Sequence, residues 1–270
     1  MGLWIACLSS SEAGCRALID VDNEVSFITK NEGQFAYFDT QLERPLWRGK
    51  NVLDFGGNIG NILRHRNSTI THDSYWCIDV SRDAIEAGKK AAPKANFVFY
   101  DRHNFEYNPN GIKNLPIPDI GKKFDFIIAL SVFTHTSKTE MIDIVNHLCD
   151  LLNDGGRLAF SFFDPHYIPP DSAACNLKHY LEQRTSDPSA SDIDTSLNRA
   201  SAASWCTLLN GEVEIEHEGL ERFQGVQKEG YLAFYTPRYL QTIFPRGKIL
   251  EPVNPFPRQH CCIISDGQEQ

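Results

Sequence analysis

The chain has 270 residues, 41% hydrophobic and 23% charged, which suits one large α/β domain with an insertion, or two small domains, and excludes a disordered or fibrous protein. A formal net charge of −9 argues against broad binding to nucleic acid or acidic membrane, whose phosphates require a basic surface, while leaving room for a small local basic patch. Eight cysteines, at 7, 15, 77, 149, 175, 206, 261 and 262, form no C-x-x-C pair; several sit in apolar runs, as a reduced, mostly buried set does in a cytoplasmic protein.

The apolar start Met1 to Leu8 is short and has no preceding Lys or Arg, so no signal peptide is expected. No stretch approaches the ~20 apolar residues of a membrane span. Residues 1–50 are expected to form an N-terminal cap. Within it Phe35, Tyr37, Phe38, Leu42 and Trp47 suit two roles equally, a cover over a ligand cleft or packing on a sheet edge.

Val52, Leu53 and Phe55 then form an apolar run that ends in Gly56-Gly57-Asn58-Ile59-Gly60, and a helical run follows from Asn61 to Arg66. That order predicts strand, tight turn and helix, at the carboxyl end of a first strand where open α/β sheets bind nucleotide-like ligands. Glycine suits the turn through positive φ and close backbone approach, and the N–H groups opening the helix favour a polar or anionic ligand group.

Ser74 to Val80 reads as a buried strand ending in Asp79, about 25 positions beyond Asp54. Ser81 can cap a helix to Lys90, whose last-turn lysines suit the macrodipole, and Pro93 stops it. Asn96 to Asp101 is a third strand; residues 102–123 are a long loop in which Pro116 and Pro118 oppose helix. Phe124 to Leu130 is a fourth strand leading into Ser131 and His135. Ser137-Lys138-Thr139-Glu140 has the form of a capping box, and Met141, Ile144, Val145, Leu148 and Leu151 follow at helical spacing. Asp154-Gly155-Gly156 ends that unit, and Arg157 to Phe163 is a fifth strand running into Asp164-Pro165-His166.

From Tyr167 to Gly230 the α/β rhythm breaks. Residues 184–204 are rich in Ser, Asp and Ala, and Asn210-Gly211 marks a hairpin. The segment suits a substrate lid or a partner surface. Thr236-Pro237 opens a further helix as N-cap and N1, and 247–250 and 259–265 are expected as closing strands.

Asp54-Phe55-Gly56-Gly57-Asn58-Ile59-Gly60 resembles the first motif of class I S-adenosylmethionine (SAM)-dependent methyltransferases, acidic-x-Gly-x-Gly-x-Gly, with Asn58 in place of the middle glycine. Asparagine tolerates left-handed backbone better than most residues. The resemblance extends to Asp125 opening the fourth strand and to Gly155-Gly156-Arg157-Leu158 entering the fifth, and covers roughly 50–165 and 235–266. It implies a Rossmann-like, seven-stranded, mostly parallel sheet with helices on both faces, plus an inserted lid. The units are then a cap at 1–50, a SAM-binding core at 51–165, a lid at 166–230 and a core completion at 231–270. The resemblance assigns cofactor contacts to Asp54, Gly56, Gly57, Asn58, Gly60, Asp79, Val80, Asp101 and Ser131. Asp79 would take the ribose hydroxyls, or would only end its strand. Asp101 would meet the adenine amino group, or pair with Arg102 or His103 at the surface.

With SAM as donor and S-adenosylhomocysteine (SAH) as product, the methyl carbon is already activated on a sulfonium, so in-line displacement needs chiefly proximity and orientation. A neutral hydroxyl or amine also needs a proton acceptor, and histidine, with an unperturbed pKa of about 6.5, suits the task. His135 and His166 follow the fourth and fifth strands on the ligand side and are the candidate bases; an acceptor that arrives ionised needs neither. The absence of an Asn/Asp-Pro-Pro-aromatic motif and the acidic balance favour a small-molecule acceptor, a metabolite or natural product, methylated at oxygen, with nitrogen and carbon open. The other readings are a nicotinamide-dependent oxidoreductase, opposed by the missing G-x-G-x-x-G, and a non-catalytic protein that keeps the fold for binding. No metal site is expected, since no carboxylate or Cys/His cluster has ligand spacing. The oligomeric state is open.

Overall fold

The computed structural model describes residues 33–104, 107–164, 233, 235–257 and 259–267. Among these described residues seven strands form one sheet: β1 (Val52–Phe55), β2 (Tyr75–Asp79), β3 (Asn96–Phe99), β4 (Phe124–Ala129), β5 (Leu152–Phe163), β6 (Lys248–Leu250) and β7 (Gln259–Ser265). Their spatial order is β3-β2-β1-β4-β5-β7-β6. The first five run parallel, and β7 inserts antiparallel between β5 and β6. The expected seven-stranded, mostly parallel sheet is therefore present.

Each strand divides its apolar residues between two cores by alternation, because successive side chains point to opposite faces. Leu53, Phe55, Ile127, Ala129, Leu158 and Phe160 enter one core with Met141, Ile144, Val145 and Leu148 of helix α4 (Lys138–Asp150) and Leu240 of α5 (Pro237–Ile243). Val52, Cys77, Phe126, Ile128, Ala159 and Cys261 enter the other, with α1 (33–41), α2 (Asn61–Arg64) and α3 (Arg82–Ala91). A sheet covered on both faces needs apolar residues at both parities, which is why these strands read as continuous apolar runs. Burying each large aliphatic side chain contributes ~1.5–3 kcal/mol.

The cap residues pack on one sheet face. Phe35, Tyr37, Phe38, Leu42 and Trp47 are buried in the second core, with the Trp47 ring 4.9 Å from that of Phe126. The proposed lid lies outside the described residues.

Three local expectations change. Helix α2 is one turn, ending at Arg64 rather than Arg66. β5 begins at Leu152: Phe124 pairs with Leu152 and Phe126 with Arg157, so Asn153 to Gly156 bulge out of a continuous strand instead of preceding it. In the proposed capping box Ser137 Oγ accepts from the Glu140 N–H (3.2 Å), but the Glu140 carboxylate turns to Arg102 Nε (2.9 Å).

Candidate functional site

The carboxyl ends of β1 to β4 lie along one edge of the sheet, and the chain leaves β1 for β2 on one side while β4 lies on the other. That reversal of strand order is the switch point at which open α/β sheets leave a crevice. The turn after β1 fills it. Gly56, Asn58 and Gly60 have φ of 73°, 54° and 75°. The turn is thus strongly left-handed, and asparagine serves in place of glycine at its middle position.

The glycines answer to their own protein. A Cβ on Gly57 would lie 2.5 Å from Asp54 Cγ and 2.9 Å from Cys77 Sγ, because the Asp54 carboxyl lies under that residue. Asp54 is buried; Tyr75 Oη donates to its Oδ2 at 2.7 Å, and among the described residues no cation pairs with it. Burial pushes its carboxyl up to about 7, opposed by the Tyr75 hydrogen bond and reinforced by the Asp79 charge.

Asp79, also buried, holds the turn from the next strand. Its Oδ2 accepts from the Asn58 N–H (2.8 Å) and its Oδ1 from the Ser81 N–H (2.7 Å). Burial raises its pKa, and the backbone donors of Ser81, Asn58 and Val80 oppose that rise. A carboxylate has about four acceptor positions, so beyond these backbone donors capacity remains for a hydroxyl. Val80 is half-buried against the first core.

Asp101 follows β3 and is half-buried. Its partner is Asn108, whose Nδ2 donates to Oδ1 at 3.0 Å, rather than Arg102 or His103. Arg102 is instead buried: Nε meets Glu140 Oε1 (2.9 Å), and Nη1 meets the Leu115 carbonyl (2.8 Å) and Asp143 Oδ2 (3.4 Å). This clamp ties the loop after β3 to α4, and the loop is further closed by bridges between Arg102 and Ile112 and between Asn104 and Asn108.

Ser131 follows β4 with φ of 57°, uncommon for a residue with a Cβ. Its N–H donates to Ser161 Oγ (2.8 Å), and Gln259 Nε2 donates to its Oγ (2.8 Å). His135 ends a short 3₁₀ turn (Phe133–His135), half-buried, with the Tyr107 ring edge-on at 5.7 Å. His166 lies outside the described residues. One edge therefore brings together Asp54, Gly56, Gly57, Asn58, Gly60, Asp79, Val80, Asp101, Ser131 and His135.

Tyr75, Ser161, Gln259, Tyr107 and Arg102 stand among them unforeseen. A polar residue inside an apolar strand, as in Phe160-Ser161-Phe162, was the available signal for Ser161. His260 was passed over as well. It is buried, with Nε2 3.2 Å from Asp164 Oδ2, Nδ1 3.0 Å from the Leu250 carbonyl, and the ring stacked on Phe162.

Four observations bear on what can lie on the turn. Residues 54–62 carry no Lys or Arg, Asp54 sits beneath them, α2 is too short for a strong dipole, and Asp79 offers acceptors. A pyrophosphate meets an acid here instead of a helix dipole, whereas a cationic adenosyl group with ribose hydroxyls meets compatible partners. The helix-opening N–H groups expected to favour an anion are thus a minor feature.

Residues 53–158 match the family model described as a methyltransferase domain. Polyamine aminopropyltransferase 1 of Aquifex aeolicus is 30% identical over 173 residues, 60% of this chain and 58% of that one. Malonyl-(acyl-carrier protein) O-methyltransferase 1 of Ilyobacter polytropus is 28% identical over 116 residues, 42% of this chain and 38% of that one. The matches thus span 38% to 58% of the length of these curated relatives. Among solved structures, magnesium protoporphyrin IX methyltransferase of Synechocystis PCC 6803 with bound SAH superposes with a TM-score of 0.50 at 12% identity, over 96% of this chain and 90% of that one, a likeness of fold. Residues 53–158 are thus similar to a methyltransferase domain, and the chain shares the Rossmann-like fold of a SAM-dependent methyltransferase.

Proposed function

We propose that the chain is a SAM-dependent methyltransferase that methylates a small-molecule acceptor at oxygen. The observation that carries the reading is the left-handed turn Gly56 to Gly60, held between Asp54 and Asp79 at the switch point of a methyltransferase-type sheet. Bound SAM would supply a methyl carbon activated by its sulfonium. Asp79 would hold a ribose hydroxyl on its remaining acceptor capacity, and Asp101 and Val80 would border the adenine. The Asp54 and Asp79 carboxylates favour a cation over the turn. His135, at the exit of β4, would take the proton of the acceptor hydroxyl, a contribution of ~10²–10⁴-fold. His166 is the alternative base on sequence grounds. A role in secondary metabolism, in the cytoplasm, fits the small-molecule reading.

One finding favours a second reading. Two curated relatives are polyamine aminopropyltransferases, at 30% and 27% identity. Displacement at a sulfonium moves whichever carbon faces the nucleophile, so one fold can serve either transfer.

The test is product mass. The full chain is incubated with SAM, or with its aminopropyl-bearing counterpart, and a panel of small hydroxylated, carboxylated and amine acceptors. A methyl increment on an oxygen acceptor supports the first reading. An aminopropyl increment on an amine replaces it with the second, and no transfer from either donor contradicts both.

A further inference from the structure

We propose that Ser161 and Gln259 are positioning residues of the donor site: they hold Ser131 in its left-handed conformation and so set the turn after β4 against the glycine turn after β1. The proposal rests on the reading of that turn as the donor site.

The polar groups close a ring. The Ser131 N–H donates to Ser161 Oγ (2.8 Å), the Ser161 hydroxyl donates to Gln259 Oε1 (2.6 Å), and Gln259 Nε2 donates back to Ser131 Oγ (2.8 Å). The donors and acceptors are consistent all the way round, so the ring fixes the backbone and the side chain of Ser131 together. Ser161 is fully buried and Gln259 nearly so, which makes an unmade bond here costly. Ser131, with φ of 57°, pays a conformational cost that no local sequence feature offsets. Ser131 O also accepts from Thr134 Oγ1 (2.7 Å), locking the turn on its far side.

The next residue carries the effect to the donor site. Val132 Cγ2 lies 2.4 Å from where a Gly56 Cβ would stand, so the two turns are in van der Waals register across the switch point. A Ser131 that relaxed to negative φ would swing Val132 relative to Gly56. The ring is itself braced from outside the sheet: Tyr37 Oη on α1 lies within hydrogen-bond distance of the Gln259 carbonyl (3.1 Å) and the His260 carbonyl (2.9 Å). Residues 30 and 128 positions from Ser131 in the chain thus act on one dihedral.

The test is calorimetric titration of the full chain with SAH. Gln259→Met and Ser161→Ala should each weaken SAH binding about tenfold, the effect of one lost buried hydrogen bond. Glycine adopts positive φ without help. In a Ser131→Gly background, whatever its own affinity, Gln259→Met should then change SAH affinity no further while still lowering Tm. A purely structural role would lower Tm in both backgrounds with no such loss of coupling. Should Gln259→Met fail to fold, Ser161→Ala with and without Ser131→Gly provides the same comparison. Wild-type affinity in the single variants, or losses that add across the double variant, would overturn the proposal. Failure of the wild-type chain to bind SAH would instead sink the donor-site reading, and the proposal with it.

Discussion

Gly56 and Val132 are close-packed across the switch point: a Cβ on Gly56 would lie 2.4 Å from Val132 Cγ2, and Gly56 has φ of 73°. Two separate faults therefore meet in Gly56→Ala. Left-handed backbone costs an alanine ~1–2 kcal/mol, and overpacking a stiff valine adds ~1–3 kcal/mol. Gly56→Ala should destabilise the chain by about 3 kcal/mol in chemical denaturation. Adding Val132→Ala should return the steric part and leave the backbone part. No recovery in the double variant would show that the contact is not the cause.

Asp54 makes stability depend on pH in a known direction. Its carboxyl rises from 3.8 to about 7 on burial, so the folded chain holds a proton that the unfolded chain releases earlier. The stabilising contribution is complete below about 3.8 and is lost as pH rises toward about 7, worth at most about 4 kcal/mol. Asp54→Asn should remove this slope. Its stability relative to wild type should therefore rise between pH 5 and about 7 and then level off, as read by denaturation at fixed pH values.

The same carboxyl should tie donor binding to pH. A sulfonium cation favours ionised Asp54, whereas uncharged SAH sulfur does not, so SAM affinity should rise relative to SAH as pH passes through about 7. Parallel titrations of the two ligands from pH 6 to pH 8 check this; a constant ratio would contradict it.

Replacing His135 by Gln tests the base. Turnover with a neutral hydroxyl acceptor should fall about 100-fold or more, while SAH affinity falls far less. Undiminished turnover would show that the acceptor arrives ionised or that another group takes its proton.

Arg102→Met should break the clamp between the loop after β3 and α4. Loss of one partner leaves Glu140 and Asp143 without their cation and the Leu115 carbonyl without its donor, a cost of about 3 kcal/mol. Hydrogen exchange should rise around residues 107–115 more than in β1 and β2.

What was legible in the chain follows its range of interaction. Strands buried on both faces announce themselves as apolar runs, and Ser81, Ser137 and Thr236 each accept from the N–H three residues on, as their positions before helical runs required. Asp54, Asp79 and Asn58 could be read because strand, turn and spacing are local properties. Ser131's conformation could not, since the groups that enforce it come from β5 and β7. Arg102 looked like a loop cation because its two carboxylate partners lie 38 and 41 positions away on α4. The bulge at Asn153 to Gly156 was mistaken for a helix stop because a Gly pair serves both uses.

Calorimetric titration of the full chain with SAM and SAH beside Asp79→Ala, with NADPH as the control ligand, tests the donor site itself. Micromolar binding of SAM and SAH, its loss in Asp79→Ala, and no binding of NADPH are the expected results. Binding of NADPH in place of both adenosyl ligands, or SAM affinity undiminished in Asp79→Ala, would contradict the donor-site reading.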